Sequence, residues 1–123
     1  MTIDGIWSYA MRSGHEEGED LTDWTVVAAD GAIGHVEREA APHGLRHVVV
    51  DTGVWLFGRS VVVPVGLVTG IDRTARTVSL SCTGDRVREA PRFRTDGETT
   101  DRRYLAEVGA YYERLGSSGT EPR

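Results

Sequence analysis

The stretch 48-VVVDTGVWLFGRSVVVPVG-66 decides the fold of this chain. It holds two runs of three valines, separated by a segment rich in glycine and large apolar residues. β-Branched side chains favour strands, whereas Asp and Gly favour turns. We therefore predict strands at 45–51 and 59–63. Because neither valine run alternates with polar residues, both strands should be buried on both faces.

Short apolar segments continue on either side of this stretch at intervals of about ten residues, bounded by glycine, proline or aspartate. Asp30-Gly31 is a strong hairpin-turn dipeptide, because glycine accepts positive φ without steric cost. At 77–82 the side chains alternate, which places Val78, Leu80 and Cys82 on the core side. The pattern predicts a mainly β fold, a small barrel of about six strands. Its other strands are expected at 24–28, 34–40, 67–72 and 77–82.

The chain divides into a central domain and two ends of different character. Residues 1–19 form an acidic extension, in which Ile6, Trp7 and Tyr9 should dock on the barrel while the acidic side chains stay in solvent. Residues 20–95 form the barrel domain, which closes with one helical turn at 83–89 ahead of Pro91. A helix follows at 96–116. Residues 117–123 are expected to be a disordered tail.

The C-terminal helix is predicted to be amphipathic. Thr100 or Asp101 can cap its start, and Gly116 can cap its end. A helix of this length is marginal alone, so its apolar stripe must pack on the barrel or on a partner. The stripe, at helical spacing, consists of Tyr104, Val108, Tyr111 and Leu115.

Composition limits the classes of function. At 123 residues one domain is expected, and the net charge of −5 repels nucleic acid phosphates. The single cysteine, Cys82, cannot form an internal disulfide and supplies too few ligands for a structural zinc site. No run of about 18 apolar residues and no secretion signal is evident, so we expect a cytoplasmic protein without membrane insertion.

Four segments carry a family resemblance, in this order: Asp20-Leu21-Thr22-Asp23-Trp24, Asp30-Gly31-Ala32-Ile33-Gly34-His35-Val36, residues 48–58, and Val63-Pro64-Val65-Gly66. In order and spacing they resemble PRC-barrel domains of the actinobacterial stand-alone type, over roughly residues 20–93. That family includes the cytoplasmic domain of the photosynthetic reaction-centre H subunit and the second domain of a ribosome maturation factor. The resemblance implies a small β-barrel used as an interaction surface, without shared catalytic residues or a cofactor.

One motif suggests an enzyme. An apolar strand that ends in Asp51-Thr52-Gly53 is also the active-site loop of dimeric aspartic proteases, in which two aspartates share a proton. Such an enzyme needs a later apolar strand, a supporting helix and a flap, and Leu56-Phe57-Gly58 follows too early to supply them. We therefore interpret Asp51 as a turn residue that accepts backbone hydrogen bonds, with Gly53 left-handed.

Two polar groups offer weaker signals. His35, Glu37, His43 and His47 can converge on a metal only in one strand register, and their spacing fits no ligand motif, so surface histidines are the expectation. Arg86, Arg88, Arg92 and Arg94 can bind phosphate or RNA, but Asp85 and Glu89 dilute the cluster. A solvated surface, paired with the acidic N-terminal stretch, is the preferred interpretation.

The remaining signal is aromatic. Trp55, Leu56 and Phe57 lie in or beside a turn, where either the chain's own ends or a partner must cover them. With Tyr104, Val108, Tyr111 and Tyr112 they form the predicted interaction surface. The sequence thus predicts a non-enzymatic protein-interaction or scaffold module that self-associates as a homodimer or binds another protein. The main alternative is an accessory protein of electron transfer, by analogy with the reaction-centre H subunit.

Overall fold

A computed structural model describes residues 5–53, 60–93 and 95–120. Its strands are β1 (Thr25–Ala28), β2 (Gly31–Ala40), β3 (His47–Asp51), β4 (Ser60–Pro64), β5 (Val68–Asp72) and β6 (Thr77–Leu80). Its α-helices are α1 (Gly84–Arg88) and α2 (Arg102–Thr120). Short 3-10 helices occupy Gly5–Trp7, Met11–Ser13, Pro42–Gly44, Val65–Leu67 and Asp96–Thr100.

The six strands form one mixed sheet in the order β4-β3-β2-β1-β6-β5. All neighbours are antiparallel except β1 and β6, which run parallel. The two edge strands, β4 and β5, follow each other in the chain with only Val65–Leu67 between them. This short corner can join opposite edges only if the sheet curls strongly.

The predicted closed barrel is therefore only partly reproduced. Six strands and the C-terminal helix are present, as the sequence predicted. However, β4 pairs with β3 and β5 pairs with β6, and no ladder joins β4 to β5 within the described residues. The chain turns away at the Val65–Leu67 corner, beyond Pro64, which has no backbone N–H to donate. The result is a curled, open sheet.

The inside of the curl holds the first hydrophobic core. Ile33, Val36 and Leu80 lie there with less than a few per cent of their surface exposed, together with one face of the central valine strands. The other members of this core come from the strands, from α1, from the segment before β1 and from the Val65–Leu67 corner: Leu21, Val26, Ala28, Val48, Val50, Val61, Val63, Val65, Val68, Val78 and Val87.

A second core lies on the outer face of β3 and β4. Val49 and Val62 point outward and are covered by Leu105 and Val108 of α2 and by Trp7. All four aliphatic side chains have 0–1% of their surface exposed. The valine strands are thus buried on both faces, which confirms that prediction and explains the absence of polar alternation.

The helices start where side chains cap them. Thr83 caps α1 by accepting a hydrogen bond from the Arg86 amide, and Asp30 accepts one from Gly84 at 2.8 Å. Asp101, one of the two predicted caps, accepts the Arg103 amide at the start of α2 at 2.9 Å. At the other end α2 passes through Gly116 to Thr120, so the predicted end at Gly116 is wrong. A glycine inside a helix costs about 1 kcal/mol and does not oblige it to stop.

The ends of the predicted strands lie within three residues of the observed ends, and Gly34 determines how closely two of these strands approach. A side chain at Gly34 would collide with the Asp51 carbonyl, so only glycine permits this approach of β2 to the end of β3.

Among the described helices, none has both the length and the apolar character needed to cross a membrane.

Candidate interaction surfaces

The apolar stripe of α2 is packed inside the protein. Tyr104 retains 8% of its surface, Val108 0% and Tyr112 2%, and all three belong to the second core. The Tyr104 hydroxyl donates to the Pro91 carbonyl at 2.9 Å, which fixes the ring to the segment before the helix. These predicted interaction residues are therefore covered by the chain itself and do not present a free surface.

Tyr111 is the predicted helix residue that stays partly accessible. Its ring meets the Tyr112 ring edge-on, with centroids 4.9 Å apart, and its hydroxyl donates to the Arg86 carbonyl. The pKa of its phenol is raised, mainly by burial. Tyr111 thus links α2 to α1 at the edge of the second core. The side chain of Leu115, the last residue of the predicted stripe, lies outside the described part of the structure.

The cover over α2 comes from the N-terminal end of the chain. Trp7 is 9% exposed and packs against Gly109, where a methyl group would lie only 3.1 Å from the indole ring. Ile6 crosses Gly66, where an added methyl group would lie 2.6 Å from the Ile6 carbonyl. We call residues Gly5–Trp7 the Trp7 segment. Two glycines, Gly66 in the corner before β5 and Gly109 in α2, form the surface on which this segment packs, which we call its seat.

The sequence pattern missed two of the most buried members of this helix. Leu105 has 0% of its surface exposed, and Gly109 is the notch that admits Trp7. Leu105 directly follows Tyr104, and Gly109 directly follows Val108, so a predicted stripe that included the next residue at these positions would have contained both. The buried face of a helix is wider than a single line of positions. The sequence did predict that Trp7 docks on the barrel, but not that it also covers α2 at Gly109.

The acidic residues of the N-terminal extension are not all left in solvent. Glu19 pairs with Arg73 at 2.7 Å and has only 14% of its side chain exposed. Glu17 reaches Arg46 at 3.3 Å, and Arg46 also holds Glu39 at 2.6 Å. Among the described residues, the ion pairs of the acidic stretch thus run to Arg46, just before β3, and to Arg73, just after β5, whereas the sequence favoured the arginine cluster after β6.

The arginine cluster itself is largely exposed. Arg88 lies 3.6 Å from Asp85 one turn earlier, and Arg92 donates to the Arg88 carbonyl at 3.0 Å. Arg86 is also exposed, while Arg94 lies outside the described residues. The local acid and the backbone carbonyl take up part of the donor capacity of this group.

The Asp51-Thr52-Gly53 segment forms the predicted turn. The Gly53 amide donates to the Asp51 carboxylate at 2.9 Å, and Gly53 has φ +56°, a left-handed conformation. The Thr52 side chain is buried, with 4% exposed. The Asp51 carboxylate therefore accepts a local backbone hydrogen bond, which confirms the turn interpretation.

An open cleft of about 470 Å³ lies beside this turn. Its walls are the first half of β2 and the Asp51–Gly53 turn, and Thr25 of β1 completes it. Ala32, Ile33, Gly34 and His35 supply the β2 wall, so most of the lining is small or apolar. The cleft is bordered by the point at which the chain leaves β3 for residues 54–59.

Trp55, Leu56 and Phe57 lie outside the described residues. Their place in the chain, between β3 and β4, follows from the ends of those strands at Asp51 and Ser60. The sequence-predicted surface thus falls in two parts that the structure treats differently. Tyr104, Val108 and Tyr112 of the helix are buried and Tyr111 is partly accessible, while the role of the loop residues stays a prediction.

The histidines lie apart. His35 is exposed opposite Asp51, and His43 bonds the Thr100 carbonyl at 3.1 Å. His47, expected at the surface, is instead fully buried, with Nδ1 3.0 Å from the Leu45 carbonyl. Within residues 5–53, 60–93 and 95–120, no three His, Cys, Asp or Glu side chains group closely enough to hold a metal ion.

Cys82 sits between the two cores instead of inside the first. It lies two residues after the end of β6, is partly buried and packs against both clusters. Burial raises the pKa of its thiol to about 11, so the thiol stays protonated near neutral pH. That environment disfavours nucleophilic or metal-binding chemistry by this sulfur.

The comparisons with known proteins add no family. No protein-family model matches the chain, and the search of curated proteins found no match.

Proposed function

We propose that this chain is a non-enzymatic interaction module of the PRC-barrel type, which self-associates through the connection between β3 and β4. The proposal rests on the sequence Trp55-Leu56-Phe57 in that connection and on the open cleft at its start. Large aromatic side chains bury much apolar surface at little conformational cost, which is why they anchor protein interfaces.

One observation carries this choice of surface. Tyr104, Val108 and Tyr112, the competing apolar surface, are already buried beneath Trp7 and against β3 and β4. A partner could reach them only after the helix or the Trp7 segment had moved. Apart from Tyr111, which stays partly accessible, the β3–β4 connection therefore holds the remaining aromatic residues of the predicted surface, and it begins after the turn at Asp51–Gly53.

The cleft suits an apolar anchor from a second copy. Ala32, Ile33 and Gly34 are among its lining residues, and so is the Asp51–Gly53 turn at which the connection starts. In a two-fold dimer the same surface lies on both subunits, so the aromatic sequence of one copy and the cleft of the other would meet twice. The symmetry therefore doubles the total buried area relative to a single contact.

Size-exclusion chromatography with light scattering tests the proposal. We expect a dimer at high micromolar concentration that dissociates in Trp55→Ala. Met11→Ala is the matched control, because Met11 is an apolar residue with 100% of its surface exposed on another part of the protein. A strict monomer for the unmodified protein, or equal dimerisation of Trp55→Ala, would rule out self-association through this connection.

A further inference from the structure

The imidazole of His47 lies beneath the Trp7 segment. His47 begins β3 and shares the outward direction of Val49, since strand side chains alternate. It has 0% of its surface exposed, and the Trp7 ring meets it edge-on, with centroids 6.4 Å apart and planes at 81°. A titratable ring is therefore enclosed by a residue from the N-terminal end of the chain.

The hydrogen bond of His47 shows which ring nitrogen carries the proton and which is unprotonated. Nδ1 lies 3.0 Å from the Leu45 carbonyl, which can only accept, so Nδ1 carries the proton of the neutral ring. Nε2 is buried and has no hydrogen-bond partner among the described residues. A second proton would add both a charge and an unpaired N–H in a place without an acceptor.

The charged groups near His47 do not compensate that charge. Arg38 and Glu39 on β2 act in opposite directions, and the Glu39 carboxylate is held by Arg46 at 2.6 Å. The neighbour on β4 is Pro64, and the neighbour from the N-terminal end is Trp7; neither titrates. Burial is the largest effect, and it holds the pKa of His47 below its ordinary value of 6.5.

The Trp7 segment is the non-sheet element whose ring contacts the His47 ring. It comprises three residues and belongs to no strand of the sheet, whereas β2 and β4 are tied to β3 by their ladders. Its seat consists of two glycine positions, Gly66 and Gly109, that hold it by shape. Moving it breaks packing but no sheet pairing.

We propose that His47 and the Trp7 segment form an acid-released latch, in which protonation of Nε2 drives Trp7 out of its seat and uncovers α2 at Gly109. The sign follows from the direction of the shift. Because the docked state binds this proton less readily than the open state, docking is favoured above pH 6.5 and is lost progressively as the pH falls below it.

Tryptophan fluorescence tests the latch directly. The chain has three tryptophans, so Trp24→Phe/Trp55→Phe leaves Trp7 as the single reporter. Between about pH 8 and about pH 5, where histidine titrates, we expect a red shift and a several-fold rise in acrylamide quenching, with unchanged far-UV circular dichroism. His47→Gln should abolish the transition, and His43→Gln should keep it.

A second measurement needs no change at His47. The His47 pKa, followed by NMR, should rise toward 6.5 in Trp7→Ala, because removal of the indole admits water to Nε2. An unchanged His47 pKa in Trp7→Ala, an acid transition that persists in His47→Gln, or constant quenching over the pH range would each overturn the latch.

Discussion

A methyl group at Gly66 would lie 2.6 Å from both the carbonyl carbon and the carbonyl oxygen of Ile6. The backbone of the Trp7 segment therefore crosses the Val65–Leu67 corner at a distance that only glycine allows. Together with the Gly109 notch, which admits the Trp7 ring, this contact fixes the N-terminal segment against both the sheet and α2. The cover of the second core thus depends on two residues without side chains.

Gly66→Ala should release the Trp7 segment. Because the collision involves backbone atoms of Ile6, the added methyl group cannot be accommodated by a side-chain rotation, and overpacking of this kind costs about 1–3 kcal/mol. We expect a lower free energy of unfolding in urea and stronger quenching of Trp7 in the protein that retains it as the only tryptophan.

Gly70→Ala is the matched control for that substitution. A methyl group at Gly70 would meet nothing within 4 Å, although the residue belongs to β5 of the same sheet. It should leave Trp7 quenching unchanged. Equal effects of the two substitutions would show that the Ile6–Gly66 contact does not hold the segment.

The Asp51 turn should respond to loss of the acceptor and not to loss of the charge. Asp51→Asn keeps an oxygen that can accept the Gly53 amide, so its stability should stay close to that of the unmodified protein. Asp51→Ala loses the hydrogen bond and should cost about 1 kcal/mol. Urea denaturation measures both.

Gly53→Ala tests the same turn from its other end. Gly53 has φ +56°, and a left-handed residue with a side chain costs about 1–2 kcal/mol. We expect a loss of stability in that range.

The two Asp51 substitutions also have an outcome that would contradict the turn interpretation. If Asp51→Asn destabilised the protein as much as Asp51→Ala, the carboxylate charge, and not the turn, would be the important feature.

Cys82 should react slowly with thiol reagents. With its pKa raised to about 11, only about one thiol in a thousand is ionised at pH 8. The rate of labelling by DTNB should therefore rise about tenfold per pH unit up to that pKa. Protein unfolded in urea is the control, and it should label much faster at pH 8. Comparable rates for folded and unfolded protein would contradict the burial of this thiol.

Much of the local structure was predictable from sequence. The valine runs predicted β3 and β4 and their burial on both faces, and Asp30-Gly31 and Asp51-Thr52-Gly53 predicted turns that the structure contains. These features depend on residues close together in the chain. Side-chain periodicity and turn chemistry act over that range, so a single sequence is sufficient to reveal them.

The candidate site was less predictable, as His47 and Tyr112 illustrate. His47 was expected at the surface, and Tyr112 was placed on an interaction surface, yet the structure buries both. Their environment depends on Trp7 and α2, which reach them from opposite ends of the chain. No periodicity within β3 or α2 states which distant segment will cover them.

The sequence by itself determined that this chain forms short strands, tight turns and one amphipathic C-terminal helix. Tertiary structure alone decided that β1 and β6 pair in parallel, that the sheet curls without a β4–β5 ladder, and that Trp7 occupies the Gly66–Gly109 seat. The physical reason is the range of the interactions. Backbone propensity is local, whereas strand partners and the cover of a core are selected by contacts between residues far apart in sequence.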